Sequence, residues 1–276
     1  MRGALLQLNS GDDPEINLGQ TSALIARAAD GGARFVLTPE VTNCVSASRT
    51  RQNGVLQTEE DDITLRALRA QAADHDIWLL IGSLALKTND PDGRFANRSF
   101  MISPNGDIIA RYDKIHMFDV QVSKEETYRE SAGYRPGTTA VTAETEFGCV
   151  GMTICYDVRF PHLYQALARA GARILTIPSA FSPVTGAAHW EPLLRARAIE
   201  TGCFVFAPAQ TGTHNAERGR QRTTYGHSMV ISPWGEVIVD GGTTSDVHFF
   251  EWDDTSVEDA RCKVPSINHF RPFEDP

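Results

Sequence analysis

The segment SFMISPNGDII at residues 99–109 recurs 129 positions later as SMVISPWGEVI at residues 228–238. Each copy places apolar runs on both sides of a Ser-Pro-x-Gly turn. The Asn105-Gly106 pair of the first copy supplies the positive φ angles that a tight β-hairpin requires. Two unrelated hairpins could share these turn residues, because such residues suit a hairpin turn. The flanking positions, however, also match in apolar or acidic character. This favours an internal repeat.

Alternating strand and helix patterns lead into each copy. Before the first copy, strand patterns lie at 4–8, 34–37 and 77–82, with helical patterns at 13–31 and 63–74. Before the second copy, strand patterns lie at 148–154, 173–177 and 203–207, with helical patterns at 160–171 and 188–202. Two such half-units can pack sheet against sheet. The sequence therefore predicts an α/β fold, a four-layer α-β-β-α sandwich of two pseudo-repeated halves.

The rest of the chain indicates one domain. No stretch has the composition of a linker, so we treat residues 1–276 as a single domain with a core of about 1–265 and a C-terminal arm at 266–276. The core is predicted to end with a short helix over 256–265, because the pattern there has a capping residue and a terminating proline.

Charge and hydropathy exclude several classes of protein. The 276 residues include 35 acidic and 26 basic side chains, with a formal net charge of -9. No run of Lys and Arg suggests a nucleic acid or an anionic membrane as partner. The first apolar stretch is too short for a signal peptide, and no segment approaches the roughly 18 apolar residues of a membrane span. We therefore expect a cytoplasmic protein.

Five cysteines are scattered without a C-x-x-C pair, namely Cys44, Cys149, Cys155, Cys203 and Cys262. This spacing indicates reduced thiols, with neither a disulfide framework nor a metal site. Cys155 differs from the others because it follows the apolar run at 149–154, on a predicted strand-to-helix turn. Such a turn exposes a nucleophile, although a buried structural cysteine is the commoner role for a single free thiol.

The sequence lacks the P-loop, the zinc-protease helix, the serine-hydrolase elbow and the Rossmann glycine motif. Polar residues at strand ends remain, where α/β proteins place their ligand sites. Glu40 follows the predicted strand at 34–37, and Lys114 follows the second strand of the first hairpin. Taken singly, each would more often be a solvated surface charge.

Three segments carry a family resemblance: TPE at 38–40, YDKIH at 112–116 and ICYDVRFP at 154–161. In this order they resemble the signature segments of the nitrilase superfamily, the carbon-nitrogen hydrolases. The resemblance runs from the first strand to about Pro265. Further segments look like the branch that contains deaminated-glutathione amidase and omega-amidase, at 178–181, 185–191, 195–200 and 226–230.

The resemblance implies a role for each candidate residue. Glu40 would be the general base, Lys114 the oxyanion stabiliser and Cys155 the nucleophile. A further family glutamate corresponds to Glu130, which would hold Lys114. The segment at 120–130 is weakly patterned, so either of two neighbouring acids could take this place, Glu125 or Glu126. The resemblance also implies no cofactor, no metal, and a homodimer or higher homo-oligomer.

Substrate contacts are expected from Tyr156, Ser179, Phe181 and His189. An anionic amide would need a local cation in this acidic protein. The candidate arginines, which the sequence does not rank, are Arg135, Arg173, Arg218, Arg220 and Arg222. Because Glu40 would be partly buried near another carboxylate, we expect its pKa to be raised.

The predicted function is hydrolysis of a small linear carboxylate-bearing primary amide to acid and ammonia through a Cys155 thioester. Deaminated glutathione ranks ahead of α-ketoglutaramate as the substrate. Alternatives are a nitrilase or an N-carbamoyl-amine hydrolase and, from a different class, a catalytically silent binding protein or redox sensor on the same fold. Eight histidines make a pair of Cys155 with a histidine the rival chemistry. Four of these histidines are expected in exposed stretches: His75, His214, His248 and His269.

Overall fold

The computed structural model describes residues 1–122, 127–269 and 271–274. Within these residues the α-helices are α1 (Pro14–Asp30), α2 (Arg49–Val55), α3 (Ile63–Asp74), α4 (Pro161–Arg169), α5 (Pro183–Thr201) and α6 (Thr255–Lys263). The strands of the first half are β1 (Arg2–Gln7), β2 (Phe35–Leu37), β3 (Trp78–Leu86), β4 (Ala96–Ile102), β5 (Ile108–Asp113), β6 (Asp119–Gln121) and β7 (Thr127–Arg129). Those of the second half are β8 (Val141–Thr145), β9 (Gly148–Met152), β10 (Ile174–Thr176), β11 (Phe204–Ala207), β12 (Thr211–Thr213), β13 (Thr223–Tyr225), β14 (Met229–Ile231), β15 (Val237–Asp240) and β16 (Asp246–Glu251).

Two six-stranded sheets share one pairing pattern. The first runs in the order β16-β1-β2-β3-β4-β5 and the second in the order β8-β9-β10-β11-β14-β15. Along each sheet, successive neighbours pair antiparallel, parallel, parallel, antiparallel and antiparallel. The hairpins β4-β5 and β14-β15 occupy equivalent places and contain the two copies of the repeated segment. The predicted pair of related halves is thus confirmed.

Aromatic side chains join the inner faces of the two sheets. Phe35 of β2 stacks on Phe147 with ring centroids 5.5 Å apart. Phe206 of β11 lies 6.3 Å from Phe35 and 4.7 Å from Phe250 of β16, measured between ring centroids. Helices α1 and α3 pack on the outer face of the first sheet, and α4 and α5 on that of the second. The order of layers is therefore α-β-β-α, as predicted.

The central strands of the first sheet are buried on both faces. Leu37 and Leu80 point into the cluster between the sheets, whereas Val36, Leu79 and Ile81 point into the cluster beneath α1 and α3. Successive side chains of a strand alternate between its faces, so a strand with two apolar environments becomes a continuous apolar run. The strand predicted at 77–82 is found as β3, which continues to Leu86. In the described part of the chain, no helix has the length and apolar character needed to cross a membrane.

Two helices differ from the prediction. Helix α5 begins at Pro183, five residues before the predicted start at 188, because proline fits the first helical position where its missing N–H costs nothing. It ends at Thr201 and is followed by Gly202, whose φ of 60° lies in the left-handed region. Helix α2 was not predicted, since Gln52 is the buried residue along it and no apolar periodicity marks it.

Gly82 brings β3 against the segment that follows β2. A Cβ atom at this position would lie 1.9 Å from the Thr38 carbonyl oxygen and 2.5 Å from Pro178 Cβ. Both neighbours are held by backbone, so Gly82→Ala must push them apart. We expect a loss of about 3 kcal/mol in the free energy of unfolding, as for other overpacked cores. Denaturant unfolding followed by circular dichroism measures this loss.

Gly19→Ala is the matched control for that substitution. Gly19 lies in α1, and a Cβ atom there would meet nothing within 4 Å. Alanine at this helical position should leave the protein unchanged or stabilise it by up to about 1 kcal/mol. Equal unfolding midpoints for the two variants would show that the close approach at Gly82 does not constrain the fold.

Candidate active site

A cavity of about 750 Å³ opens where the ends of several strands meet. Its lining includes Glu40 after β2, Lys114 after β5, Cys155 after β9 and Glu130 after β7. The structure therefore brings together the four residues that the sequence singled out for catalysis. The cavity size suits a small organic ligand.

Glu40 is buried and its carboxylate is fully engaged. Its Oε1 accepts hydrogen bonds from Lys114 Nζ at 2.8 Å and from Asn97 Nδ2 at 2.9 Å, while Oε2 accepts one from the Ala180 N–H at 2.9 Å. The next residue, Val41, has a φ of 47°, which a β-branched residue rarely adopts. The Val41 N–H donates to Ser83 Oγ at 2.8 Å, which holds this strained turn in place.

Lys114 is 2% exposed and lies between two carboxylates. Besides Glu40, its Nζ donates to Glu130 Oε1 at 2.9 Å and to Glu130 Oε2 at 2.8 Å. The Phe118 N–H also donates to Glu130 Oε2, at 2.6 Å, and fixes that side chain. These contacts favour Glu130 as the fourth residue of the site. The two alternatives, Glu125 and Glu126, lie outside the described residues.

Cys155 opens a 3-10 turn over Cys155–Arg159, with a φ of 48°. Its N–H donates to the Pro178 carbonyl at 2.9 Å. A non-glycine residue in the left-handed region costs about 1–3 kcal/mol and is common where a reactive side chain must be presented. The turn thus places the thiol at the cavity in a geometry that the surrounding contacts must maintain.

Asp157 links this turn to the segment that carries Lys114. Its Oδ2 accepts hydrogen bonds from the Ile154 N–H at 2.9 Å and the Tyr112 hydroxyl at 2.7 Å. Its Oδ1 accepts one from the His116 N–H at 3.0 Å. Because Asp157 is fully buried and multiply bonded, the two segments are held in a fixed relation.

The charges of the site reinforce one another. Burial alone would raise the pKa of Glu40, but the Lys114 charge and hydrogen bonds from Lys114, Cys155 and Asn97 outweigh it, and the net pKa is lowered. The expectation of a raised pKa was wrong, because the nearby cation dominates over the second carboxylate. Burial and then the Glu40 charge raise the pKa of the Cys155 thiol. Although burial opposes it, the charges of Glu130 and Glu40 raise the pKa of Lys114 well above its usual value.

Residues 2–261 match the carbon-nitrogen hydrolase family. The chain belongs to this family. It is 37% identical over 269 residues to the deaminated glutathione amidase of Yersinia enterocolitica, which covers 97% of this chain and 92% of the relative. As a member of the family, the protein is a hydrolase that acts on carbon-nitrogen bonds, and its amidase relatives confirm the predicted class of enzyme.

Solved structures of family members have the same fold. The Caenorhabditis elegans NitFhit protein superposes with a TM-score of 0.88 at 36% identity, covering 98% of this chain. This chain spans 65% of that protein. Saccharomyces cerevisiae Nit3, a member of branch 10 of the nitrilase superfamily, gives a TM-score of 0.82 at 29% identity, covering 96% of this chain and 94% of Nit3. The predicted nitrilase-type sandwich is thereby confirmed.

Of the four residues expected to contact the substrate, two line the cavity and two do not. Tyr156 and Phe181 line the cavity. Ser179 is fully buried, lies outside the described lining and donates its hydroxyl to the Ile177 carbonyl at 3.0 Å. His189 lies 3.3 Å from an Arg159 nitrogen, measured from Nδ1, and is absent from the described lining. The geometry thus offers Tyr156 and Phe181 to a ligand, and not Ser179 or His189.

The rival pairing of Cys155 with a histidine has no structural support. Among the described lining residues, none is a histidine. His214 is 1% exposed, so its expected exposure was wrong. Its Nδ1 lies 2.8 Å from the Ser10 carbonyl and its Nε2 lies 2.7 Å from Thr224 Oγ1. Burial, followed by the Arg222 charge, lowers its pKa to about 4, so this histidine is neutral at pH 7.

Several cavity residues were missed from the sequence. Asn97, on β4, bridges the two carboxylates through Nδ2, at 2.9 Å from Glu40 and 3.4 Å from Glu130. Tyr134 and Arg49 line the cavity from segments without a recognised motif. Asn97 precedes the repeated hairpin segment by two residues, which was the available signal. The other two are placed by loops whose paths cannot be deduced from local pattern.

The structure separates the five candidate arginines into two groups. Arg220 and Arg222 line the cavity, whereas Arg218 lies outside the described lining. Arg135 pairs with Asp90 at 2.7 Å and Arg173 with Asp254 at 2.5 Å. Besides Lys114, the cations of the described lining are therefore Arg220 and Arg222, from the segment between β12 and β13, together with Arg49 and Arg129.

Proposed function

We propose that this hydrolase cleaves the amide bond of a small linear substrate that bears a carboxylate, and that the substrate is deaminated glutathione. One observation carries the proposal: Glu40, Lys114 and Cys155 meet in a cavity whose other charged lining residues are mostly cations. Around the described cavity these are Arg49, Arg129, Arg220 and Arg222, against one further acid, Glu130. Relatives named deaminated glutathione amidase support the choice of substrate.

The resting site holds a neutral thiol beside an ionised base. The lowered pKa of Glu40 keeps its carboxylate charged at pH 7, and the raised pKa of Cys155 keeps its proton on sulfur. A thiol is a weak nucleophile, so the proton must leave as sulfur attacks the carbonyl carbon. Glu40 is the acceptor for this proton because it already contacts the thiol.

Proton transfer also prepares the site for the oxyanion. Once Glu40 is protonated, Lys114 faces one carboxylate instead of two, and one of its N–H groups is free to bind the new negative charge. The Tyr156 N–H is a second donor, since it lies in the first turn of the 3-10 segment and has no partner within that turn. The tetrahedral intermediate forms with its charge directed at Lys114.

Two further steps complete the cycle. Glu40 returns its proton to the leaving nitrogen as the carbon-nitrogen bond breaks, which leaves a thioester on Cys155. Water then enters, and Glu40 takes one of its protons while oxygen attacks the thioester carbon. The carbon-sulfur bond breaks, the proton returns to Cys155 and the carboxylic acid departs.

We also propose that residues 1–276 form one domain, with a core of about 1–265 and an arm at 266–276, working in the cytoplasm as a homodimer or higher oligomer. The apolar cluster between the sheets contains residues of both halves, which supports one domain. All five cysteines are free, which suits a reducing compartment. Exposed apolar side chains support an interface: Ile199, Trp234 and Ile238. The proposed partner is a small amide, with no role for nucleic acid or membrane.

A substrate panel tests the proposed reaction. Deaminated glutathione has its amide bonds within the chain, so its cleavage releases an amine. The expected primary amide that yields ammonia fits α-ketoglutaramate but not deaminated glutathione. The panel therefore measures both products, and adds a carboxylate-bearing nitrile and an N-carbamoyl amine. We expect deaminated glutathione to have the highest kcat/KM, and the Cys155→Ala variant serves as the blank.

Each result of the panel has a defined meaning. Faster turnover of α-ketoglutaramate would replace the proposed substrate but keep an amidase. A preference for the nitrile or the carbamoyl amine would replace the reaction itself. If the wild-type protein cleaves none of the four compounds above the blank, the proposal fails.

A further inference from the structure

Gln210 is a fully buried glutamine on the segment between β11 and β12, outside the described lining of the cavity. Its Nε2 donates to the Glu40 carbonyl at 3.1 Å and to Ser10 Oγ at 3.0 Å, and its Oε1 accepts from the Ser10 N–H at 3.1 Å. These bonds use both ends of the amide, so the side chain is held in one orientation. A residue of the second half of the chain thus binds the main chain of the general base in the first half.

The main chain of Gln210 supports the other end of Glu40. Its N–H donates to the Ser179 carbonyl at 2.9 Å. This carbonyl belongs to the same peptide group as the Ala180 N–H, which donates to Glu40 Oε2 at 2.9 Å. Gln210 therefore binds the base at its main chain and also fixes the peptide group that receives its carboxylate.

Ser83 holds the opposite side of the peptide group that joins Glu40 to Val41. Gln210 binds the carbonyl of this peptide group, and the N–H of the same group donates to Ser83 Oγ at 2.8 Å. The turn needs such support because a φ of 47° at Val41 is unfavourable for a β-branched residue. Ser83 is also fully buried. Each polar atom of this strained peptide group therefore has one buried side chain as its partner.

The two side chains that hold this peptide group are uncharged, unlike Lys114, which binds the Glu40 carboxylate. In the proposed reaction Glu40 gains and loses a proton twice. Each time its carboxyl group becomes neutral, the hydrogen bonds from Lys114 Nζ and the Ala180 N–H lose the strength that the negative charge gives them. The bonds from Gln210 and Ser83 go to the main chain and do not depend on that charge. They hold the base when its carboxyl group is held least.

We propose that Gln210 and Ser83 are positioning residues, which keep the Glu40 carboxyl group against the sulfur and the leaving nitrogen throughout the catalytic cycle. The inference rests on the proposed function, in which Glu40 transfers the protons. Neither residue is part of the described lining, so each acts through Glu40 and not on the substrate. A shift of about 1 Å in a reacting group can cost about a hundredfold in rate. Loss of either residue should therefore slow the chemical steps and leave substrate binding unchanged.

The first test compares Gln210→Met with Gln7→Met in steady-state assays on the amide that the wild-type enzyme cleaves fastest. Gln7 is the matched control because it is also fully buried, and its Nε2 donates to three carbonyls outside the described lining, those of Gly241, Gly242 and Thr244. Both variants lose buried hydrogen bonds, so both should unfold at lower denaturant concentration. Gln210→Met should lower kcat about thirtyfold and change KM less than about twofold, whereas Gln7→Met should keep at least about half of the wild-type kcat.

A second pair of variants tests the inference even if Gln210→Met does not fold. Ser83→Ala removes a single hydroxyl group from β3. Ser99→Ala is its control, since Ser99 on β4 is also buried and its hydroxyl donates to the Ile81 carbonyl at 3.1 Å. Ser83→Ala should lower kcat about tenfold without changing KM, and Ser99→Ala should change kcat less than about twofold.

Alkylation of Cys155 by iodoacetamide reports on the base without any substrate. The sulfur forms a bond to carbon, iodide leaves, and the thiol proton passes to Glu40, so the rate depends on where the base lies. Mass spectrometry of the peptide that contains Cys155 measures this rate. Gln210→Met and Ser83→Ala should slow the alkylation at least about fivefold, and the two control variants should react at the wild-type rate.

The outcomes separate this inference from the proposed function. Wild-type kcat in a folded Gln210→Met or Ser83→Ala variant would overturn the inference and leave the amidase intact. An equal loss of kcat in each variant and its control, or a loss that appears in KM instead of kcat, would overturn it as well. If the wild-type enzyme cleaves no compound of the panel, the proposed function fails. Slower alkylation in the two variants than in their controls would still show that Gln210 and Ser83 position Glu40.

Discussion

Cys155→Ala is expected to lower kcat for amide hydrolysis by at least about four orders of magnitude. Without the thiol no thioester can form, although Glu40, Lys114 and the cavity remain. Product release under saturating substrate measures the loss. Mass spectrometry of rapidly quenched wild-type enzyme should show the acyl adduct on the peptide that contains Cys155, and the variant should show none.

Two other cysteines are suitable controls. Cys44 lines the same cavity, but burial raises the pKa of its thiol to about 12, and it has no role in the proposed reaction. Cys262 is exposed on α6. Cys44→Ala and Cys262→Ala should each retain at least about a third of wild-type kcat. An adduct on Cys44, or turnover that persists in Cys155→Ala, would refute the assignment of the nucleophile.

Lys114→Met is expected to have the second largest effect, because it changes both stability and catalysis. It leaves the carboxylates of Glu40 and Glu130 near each other without their shared cation. Removing one partner of a buried ion pair costs about 3–5 kcal/mol of unfolding free energy. Loss of the oxyanion donor should reduce kcat by about a thousandfold. Denaturant titration and steady-state assays measure the two losses separately.

The stability loss should depend on pH. In the wild-type protein the pKa of Glu40 is lowered, so its contribution is present above the unfolded-state value and is lost as pH falls through the folded value. In Lys114→Met the pKa of Glu40 should be raised by burial, so that variant gains stability as pH falls. The gap between the two proteins should therefore be widest near pH 7 and should narrow toward pH 4.

Two further variants test whether the unpaired carboxylates cause the loss of stability in Lys114→Met. Lys263→Met removes an exposed lysine on α6 and should have little effect on unfolding or on kcat. Lys114→Met combined with Glu130→Gln removes one of the unpaired carboxylates and should recover part of the stability without recovering activity. A double variant as unstable as the sum of its two single variants would show that Lys114 and Glu130 do not interact.

Much of the fold could be predicted from the sequence because local pattern and buried environment agree. The repeated hairpin segments have turn chemistry that works in isolation, and strands such as β3 have apolar residues on both faces. Helix α2 could not be predicted in this way. It is short, and its stability comes from contacts of Gln52 and Arg49 with distant segments.

In the candidate site too, some features could be predicted from the sequence and others could not. Glu40, Lys114 and Cys155 lie within motifs of specific sequence, and the structure places them together as the family resemblance implied. The direction of the pKa shift of Glu40 could not be predicted, since it depends on whether a nearby cation or a second carboxylate has the larger effect. The candidate arginines could not be separated from the sequence either, because only the folded loops show that Arg220 and Arg222 line the cavity.

The pairing of β1 with β16 affects how the protein can fold during synthesis. Arg2 of β1 lies opposite Glu251 of β16, so one edge of the first strand is completed by the last strand of the described residues. On the ribosome, β1 can pair with β2 and β3 long before that partner exists, and its other edge stays open to wrong pairings. A chain truncated before residue 246 would keep every catalytic side chain and still present this open edge. Such a fragment should therefore be prone to aggregation.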